Sequence, residues 1–326
     1  MGVAIVGCGF IGQKRSRALG GAKLVACFDV VAERASALAQ ESGAQVTATW
    51  REAIERPDVD AVVVSTTHDA LPQVGLAALE AGKHVLIEKP GARVAAELDP
   101  LIAAAARKGL VARVGFNHRY HPAFRKAREL VDEGALGPLM YIRGRYGHGG
   151  RIGYDKEWRS VPALSGGGEL IDQGMHLIDL SRWFLGDFSD VQGFAHTYFW
   201  DMPVEDNGFM LLRTKEQQVA FLHASWSEWK NLFSFEIFGK VGKLEISGLG
   251  GSYGLEKLTF YRMLPAMGPP ETTVWEYPEK DGSWEAEFRE FLDDIRLGRA
   301  PAASLADARG ALEIVGRLYA GGSTGR

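Results

Sequence analysis

The first third of the chain alternates short, continuously apolar segments with longer segments that are rich in Ala and Glu. Nearly every position is apolar in VAIVG, KLVACFD, DAVVVS, KHVLIE and LVARVGF. Strands have this composition when helices cover both faces of their sheet, whereas a sheet with one solvated face shows strict alternation. The pattern therefore predicts a parallel, doubly wound α/β sheet, a Rossmann domain, over residues 1–117.

The pattern changes after residue 118, where helical segments and glycine-rich loops precede a series of aromatic strands. Apolar and polar positions alternate in VAFLHASW, FSFEIFG, KLEIS and KLTFY, and FGKVGKL is typical of a hairpin turn. We therefore predict a second, α+β domain over residues 118–326, with an open, mostly antiparallel sheet and a C-terminal helix that can pack back on the first domain. The helical segments are 122–133, 169–185, 284–297 and 303–319.

The composition is that of an ordinary globular protein. Of its 326 residues 46% are hydrophobic and 24% are charged, and the net charge is -4. This mildly acidic balance argues against nucleic acid or an anionic membrane as a partner, since both require a basic surface. The two cysteines, Cys8 and Cys27, are typical of a reducing compartment, and no apolar segment reaches the ~18–20 residues of a membrane span. We therefore expect a cytoplasmic protein with a small-molecule partner.

A glycine-rich turn follows the first predicted strand. Gly7, Gly9 and Gly12 in VAIVGCGFIG have the spacing G-x-G-x-x-G. The first glycine permits a tight turn, the second lets the backbone approach a pyrophosphate, and the third allows close packing of a helix whose amides face the anion. Because a strand precedes the motif and a helical pattern follows it, we predict that this turn, with Phe10 and Ile11, binds a dinucleotide. A glycine-rich turn without a ligand is the alternative.

Asp29 ends the second predicted strand, at about the ~20-residue distance expected in dinucleotide-binding units. A carboxylate in this place accepts hydrogen bonds from the ribose hydroxyls of NAD and repels the additional phosphate of NADP. The residues that follow directly are Val30, Val31 and Ala32, and the nearest arginine is Arg34. We therefore expect NAD as the cofactor in preference to NADP, with a solvated aspartate at a strand end as the alternative.

Three longer segments follow the glycine loop in a characteristic order. They are STTHDALPQVGLAALEAGKHVLIEKP, VGFNHRYHPA and GGGELIDQGMHLIDLSRWFLG. Together they resemble the glucose-fructose oxidoreductase, inositol dehydrogenase and MocA (Gfo/Idh/MocA) family over essentially the whole chain. The E-K-P segment with a downstream D-x-x-x-H helix is much more specific than the glycine loop. The resemblance implies a Rossmann domain followed by an α+β domain, and an NAD(P)-dependent oxidoreductase.

The resemblance assigns roles to residues at the ends of the fourth and fifth predicted strands. It implies that Lys89, which follows a strand that leads into E-K-P, faces the nicotinamide and the substrate hydroxyls. Glu88 and the segment Thr66, Thr67 and His68 map to the cofactor side of the site. That segment departs from the family, which often has Thr-Pro-Asn there.

Asp172 and His176 are four residues apart, so on one helix both side chains lie on one face and can meet one substrate. Oxidation of a secondary alcohol requires removal of the hydroxyl proton, and histidine suits that role near neutral pH. We predict His176 as the general base, with Asp172 holding an adjacent hydroxyl or orienting the imidazole. Asp179 lies near the same face and can orient the imidazole instead, or be a surface charge. The family resemblance gives Asp172 and His176 the same roles.

Other polar residues are weaker candidates for substrate binding. Asn117, His118 and Arg119 occupy the family's G-F-N-x-R position, where side chains reach the substrate; a hydrogen-bond cluster that joins the domains is an equal alternative. Trp158 and Arg159 can stack on or clamp a sugar or a nucleotide phosphate, or can pack a loop. The chain contains no metal-binding motif, and we expect no metal.

The resulting hypothesis is an NAD(P)-dependent oxidoreductase that transfers hydride between the nicotinamide and a secondary alcohol of a sugar, cyclitol or sugar derivative. His176 is the base, Lys89 polarises the reacting hydroxyl and Asp172 positions the substrate. An NAD-assisted glycoside hydrolase and a non-catalytic dinucleotide-binding sensor remain alternatives. The aromatic strands predict a core face and a dimer surface, because an open sheet with an apolar outer face requires a partner. The family resemblance implies a homodimer or homotetramer.

Overall fold

The computed structural model of the protein describes residues 1–321. Its contacts divide the chain into two units. The first contains residues 1–116, 163–166 and 284–312, and the second contains 117–162, 167–283 and 313–321. Residues 284–312 thus group with the first unit, whereas the predicted limit at residue 118 placed them in the second. The limits of independently folding domains stay a prediction.

The first unit is built on a six-stranded parallel sheet with the order β3-β2-β1-β4-β5-β6. This order confirms the predicted doubly wound sheet. The side chains of Ala61–Val64 are all 0% exposed, as expected for a strand that helices cover on both faces. The strands are Gly2–Val6 (β1), Lys23–Phe28 (β2), Gln45–Val46 (β3), Ala61–Val64 (β4), His84–Glu88 (β5) and Ala112–Gly115 (β6), and the helices are Phe10–Arg17 (α1), Ala32–Ser42 (α2), Trp50–Glu55 (α3), Leu71–Glu80 (α4) and Asp99–Lys108 (α5).

The second unit contains an eight-stranded sheet with the order β14-β13-β12-β11-β7-β10-β9-β8. Its described strand pairs are antiparallel except for β10 with β7, which confirms a mostly antiparallel sheet. The strands are Leu139–Gly147 (β7), Phe188–His196 (β8), Asn207–Thr214 (β9), Val219–Ser225 (β10), Leu232–Gly239 (β11), Gly242–Ser247 (β12), Glu256–Arg262 (β13) and Glu271–Tyr277 (β14).

The central strand β7 lies in the region where the sequence predicted glycine-rich loops. Its inward positions are Ile142, Gly144 and Tyr146, which alternate with exposed arginines. A Cβ atom on Gly144 would lie 2.9 Å from a methyl group of Leu222 and 3.2 Å from one of Leu177. The glycine therefore permits close packing inside the unit, and it obscured the apolar alternation that identifies a strand.

Six further α-helices follow in the described chain, which also contains four short 3-10 helices. Phe288 and Phe291 of α10 belong to the same apolar core as Val3, Ile5 and Val63, so this helix is part of the first unit. No helix within residues 1–321 combines the length and the apolar character that a membrane span requires. The helices are Pro122–Asp132 (α6), Pro162–Ser165 (α7), Glu169–Asp172 (α8), Gly174–Leu185 (α9), Ser283–Leu297 (α10) and Leu305–Gly321 (α11).

The single helix predicted over 169–185 is wrong in detail, because α8 and α9 are separate helices joined at Gln173. The amide of His176 donates to the carbonyl oxygen of Gln173, which is three residues away rather than four. Gly174, a weak helix former, follows the joint directly. Asp172 and His176 therefore lie at the end of one helix and in the first turn of the next.

Candidate active site

The glycine loop in the first unit has the shape that a pyrophosphate requires. Gly7 has φ 95°, and a Cβ atom there would lie 2.4 Å from the carbonyl oxygen of Ser65. A Cβ atom on Gly12 would lie 2.0 Å from the carbonyl oxygen of Gly7, whereas one on Gly9 would meet nothing within 4 Å. The loop is thus tightly packed on one side and open at Gly9. Helix α1 begins directly afterwards at Phe10, so its amides are available to an anion.

Asp29 lies beside this loop at the end of β2. Its Oδ2 accepts a hydrogen bond of 2.7 Å from the amide of Cys8, and its Oδ1 accepts one of 2.8 Å from the amide of Val31. Each carboxylate oxygen can accept a second hydrogen bond, so the group can still bind ribose hydroxyls. The loop and Asp29 therefore fit a dinucleotide. Phe10 is 72% exposed and Ile11 is half-buried, and their contacts with a cofactor stay predictions.

The segment after β4 makes mostly local hydrogen bonds. The hydroxyl of Thr66 donates to the carbonyl oxygen of Thr67, and the hydroxyl of Thr67 donates to Asp69 Oδ1 at 2.6 Å. His68 is buried, and its Nδ1 lies 2.8 Å from the carbonyl oxygen of Ser165 in the same unit. These contacts fix the backbone after β4. The predicted contacts of these three residues with the cofactor stay predictions.

Lys89 is half-buried and follows the last residue of β5. The residue before it, Glu88, is 7% exposed and accepts a hydrogen bond of 2.6 Å from Arg15 Nε. Arg15 also donates to Glu287 Oε2 at 2.5 Å. Burial opposes the charge of Arg15, but Glu287 and Glu88 together raise its pKa above the ordinary value. Glu88 thus belongs to a buried ion network, and its predicted role in cofactor binding stays a prediction.

In the second unit Asp172 is joined to Arg159. The Nε atom of Arg159 lies 3.0 Å from Asp172 Oδ2, and its guanidinium lies 4.7 Å from the ring centroid of Trp158. Burial opposes the charge of Arg159, and Asp172 is the main group that raises its pKa above the ordinary value. The structure therefore brings together two residues that were predicted separately, as a catalytic aspartate and a substrate clamp. The side chain of Asp172 is 10% exposed and that of Arg159 is 27% exposed, so the ion pair lies at the edge of the solvent.

His176 is 5% exposed and its ring stacks on the ring of His118, with a centroid distance of 3.7 Å and an interplanar angle of 17°. A chain of hydrogen bonds determines the tautomer of His118. The hydroxyl of Ser283 donates to Asp281 Oδ1 at 2.6 Å and accepts from Asn117 Nδ2 at 2.9 Å. The Oδ1 of Asn117 therefore faces His118 Nδ1 at 3.2 Å, which makes that nitrogen the donor.

Asp179, whose role the sequence left open, forms a bidentate ion pair with Arg119. The two hydrogen bonds measure 2.8 Å and 2.5 Å, and both side chains are buried. Arg119 follows Asn117 and His118 in the G-F-N-x-R segment. The ion pair therefore connects that segment to the helix of His176, α9.

Two residues that the sequence did not predict hold the start of α8. Glu205 accepts hydrogen bonds of 3.0 Å from the amides of Gly168 and Leu170 and one of 2.7 Å from the hydroxyl of Tyr319. A Cβ atom on Gly168 would lie 1.9 Å from the carbonyl oxygen of Glu205, and one on Gly167 would lie 2.0 Å from Tyr319 Oη. The glycines before Asp172 are thus required by close packing. The glycine run was the only local signal of this arrangement.

Two family models match the chain. One, described as the oxidoreductase family with an NAD-binding Rossmann fold, matches residues 1–116. The other, described as the GFO/IDH/MocA C-terminal domain, matches residues 124–245. Together they cover most of both units.

Similar curated proteins include two with named activities. The levoglucosan dehydrogenase of Pseudarthrobacter phenanthrenivorans is 31% identical over 228 residues, which are 66% of this chain and 58% of that protein. The 1,5-anhydro-D-fructose reductase of Ensifer adhaerens is 33% identical over 234 residues, which are 70% of this chain and 69% of that protein. The match thus spans less than two thirds of the length of the first relative and slightly more than two thirds of the second.

Among solved structures, GenD2 from gentamicin A biosynthesis in complex with NAD is 27% identical, with a TM-score of 0.85 over 100% of this chain and 95% of that chain. The likeness therefore extends through both units. Since models of one family match both parts, and the reductase is one third identical over 69% of its length, this chain belongs to the Gfo/Idh/MocA family of NAD-binding oxidoreductases.

Proposed function

We propose that this protein is an NAD-dependent dehydrogenase that acts on a secondary alcohol of a sugar, cyclitol or sugar derivative. The observation that carries the proposal is the buried arrangement of His176 with Asp172, which Arg159 holds by an ion pair. A histidine and an ionised carboxylate one helix joint apart can serve as a base and as an acceptor for a neighbouring hydroxyl. The relatives named above, a dehydrogenase and a reductase, support this reaction class.

Each side chain has one task in the proposed reaction. His176 takes the hydroxyl proton of the reacting alcohol, and the stacked ring of His118 limits the positions that the imidazole can adopt. Asp172 accepts a hydrogen bond from an adjacent hydroxyl, and the hydrogen bond from Arg159 orients the carboxylate. Lys89 holds and polarises the reacting oxygen, a role that rests on the family resemblance. The chemistry that NAD supplies when bound is acceptance of a hydride from the same carbon.

The test is formation of NADH when the purified protein is mixed with NAD and a panel of free sugars, inositols, sugar acids and nucleotide sugars. We expect turnover with one class, and we expect Lys89→Ala to lower kcat/KM about 10²-fold or more, because it removes a charged donor from the reacting oxygen. Lys23→Ala, at the exposed start of β2, is the matched control and should keep wild-type activity.

Two results would contradict the proposal. If Lys89→Ala and Lys23→Ala turned over the substrate equally fast, Lys89 would have no role in the reaction. A wild-type protein that binds NAD but forms no NADH with any class would favour glycoside cleavage or a sensor role, and a glycoside panel would separate these two.

We also propose that the protein forms a homodimer or homotetramer through the outer face of the eight-stranded sheet. Apolar side chains cross this face on adjacent strands, with Phe194 opposite Phe209 and Leu211 opposite Phe221. Phe194 is 67% exposed and Phe221 is 52% exposed, and an exposed apolar patch of this kind is typical of an interface. The predicted cytoplasmic location stays a prediction.

The oligomer is tested by the molar mass in solution, measured by light scattering against a chain mass of 35.6 kDa. We expect Phe221→Glu to lower the mass toward that of one chain, because it places a charge in the apolar interface. Phe199→Glu introduces the same change at an equally exposed phenylalanine that lies after the last residue of β8 and should leave the mass unchanged. A wild-type protein with the mass of one chain contradicts the proposal.

A further inference from the structure

Gln173 is the residue that joins α8 to α9. It lies between the helices that carry Asp172 and His176, and it is 8% exposed. Its Nε2 donates a hydrogen bond of 3.1 Å to Tyr253 Oη, but its Oε1 has no hydrogen-bond partner among residues 1–321. Because a buried acceptor without a donor is costly, an unsatisfied amide oxygen beside the proposed base indicates a position for a ligand donor.

Tyr253 reaches Gln173 from the loop between β12 and β13. Four glycines with positive φ shape this loop. Residues other than glycine rarely adopt that backbone conformation. The ring of Tyr253 lies edge-on to the ring of Tyr146, with centroids 5.1 Å apart. The loop thus presents one phenol to the joint that carries Gln173. The glycines are Gly248, Gly250, Gly251 and Gly254.

The phenol of Tyr253 keeps its proton at neutral pH. Burial raises the pKa of Tyr253 to about 12, and the carboxylates of Glu169 and Asp172 act in the same direction. The hydroxyl therefore remains a donor as well as an acceptor. The joint consequently presents an amide oxygen that only accepts and a hydroxyl that can donate.

We propose that Gln173 and Tyr253 form a specificity subsite that binds one ring hydroxyl of the substrate, distinct from the hydroxyl that His176 deprotonates. This inference rests on the proposed function and names its substrate class as a polyhydroxylated ring. The substrate hydroxyl donates to Gln173 Oε1 and accepts from the hydroxyl of Tyr253. A hydrogen atom or a carbonyl group in that place cannot donate, so deoxy and keto analogues leave the buried amide oxygen unsatisfied.

The chemistry predicts discrimination rather than a general loss of activity. Sites built to hydrogen-bond a substrate hydroxyl reject the analogue that lacks it, because the protein group is then buried without a partner. We expect the wild-type protein to prefer the parent compound over one of its monodeoxy analogues by about 10- to 100-fold in kcat/KM. Analogues altered at ring positions outside the subsite should show a smaller effect.

The experiment compares the wild-type protein with Gln173→Met, which keeps the length of the side chain but removes its polar atoms. The probes are myo-inositol and D-glucose with their monodeoxy and keto analogues. Turnover is measured with NAD, and binding to the NADH-loaded protein is measured by calorimetry. In Gln173→Met the ratio between the parent and the sensitive analogue should fall to about threefold or less, because the parent loses its acceptor and the analogue loses nothing. Tyr253→Phe, which removes only one hydroxyl, should lower the ratio in the same direction.

Gln40→Met is the matched control, since Gln40 is an exposed glutamine on α2 of the first unit. It should keep the wild-type ratio for every analogue. The inference is overturned if Gln173→Met and the wild-type protein show the same ratios throughout, or if no probe is bound or turned over. Discrimination in binding without formation of NADH would leave the subsite standing and would contradict the dehydrogenase function instead.

Discussion

Replacement of His176 by Asn is expected to lower kcat/KM about 10²- to 10⁴-fold, which is the usual contribution of a positioned general base. Asparagine can form hydrogen bonds in the same place but cannot take the proton of the reacting hydroxyl. Binding of NADH should be unchanged, because the glycine loop and Asp29 belong to the other unit. Turnover is followed by the absorbance of NADH, and binding is followed by titration of its fluorescence.

The control for this variant is His196→Asn, which changes a histidine exposed at the end of β8 in the same unit. It should retain wild-type kcat/KM. Equal turnover by His176→Asn and the wild-type protein would exclude His176 as the base. A parallel loss of NADH binding would instead mean that the residue supports the fold.

The second large effect concerns stability and involves Arg15 of α1. Its guanidinium is fully buried between the carboxylates of Glu88, at the end of β5, and Glu287, in α10. We expect Arg15→Met to lower the free energy of unfolding by about 3–5 kcal/mol, because removal of one partner leaves buried charges without a counter-ion. Denaturation by urea, monitored by circular dichroism, measures the change.

Helix α1 supplies a matched control for this prediction. Arg17 pairs with Glu41 at 3.0 Å, but both side chains are more than half exposed. Arg17→Met should therefore leave the urea midpoint close to that of the wild-type protein, because exposed ion pairs contribute little to stability. If Arg15→Met and Arg17→Met lowered the free energy of unfolding by similar amounts, the buried ion network would contribute no more to stability than an exposed ion pair.

The loss caused by Arg15→Met should also depend on pH. Burial raises the pKa of Glu287, and Arg15 opposes that rise in the wild-type protein. Without Arg15 the folded-state pKa rises further above the unfolded value, so the folded protein binds this proton more tightly. The resulting stabilisation is present at acidic pH and is lost as the pH rises through the folded-state pKa. The difference in free energy of unfolding between Arg15→Met and the wild-type protein should thus be smallest at acidic pH and should grow toward neutral pH.

The sequence determined the architecture of the first unit by itself. A strand that helices cover on both faces must be apolar at every position, so the runs that end at Val6, Phe28, Val64 and Glu88 were visible without any structure. The glycine loop and the motif around Asp172 were equally visible, because their residues are close in the chain. The same local patterns missed strand β7, where Gly144 interrupts the apolar alternation, and the break of the helix at Gln173.

Only the tertiary structure decided which side chains complete these motifs. Arg159 is 13 residues from Asp172, Glu205 is 37 residues from Gly168, and Tyr253 is 80 residues from Gln173. Periodicity indicates which face of a helix or strand is covered, but it carries no record of which distant group covers it. The family motif therefore identified the candidate base and lysine, whereas the groups that hold and surround them followed from sheet order and loop packing, which bring residues remote in sequence into hydrogen-bond distance.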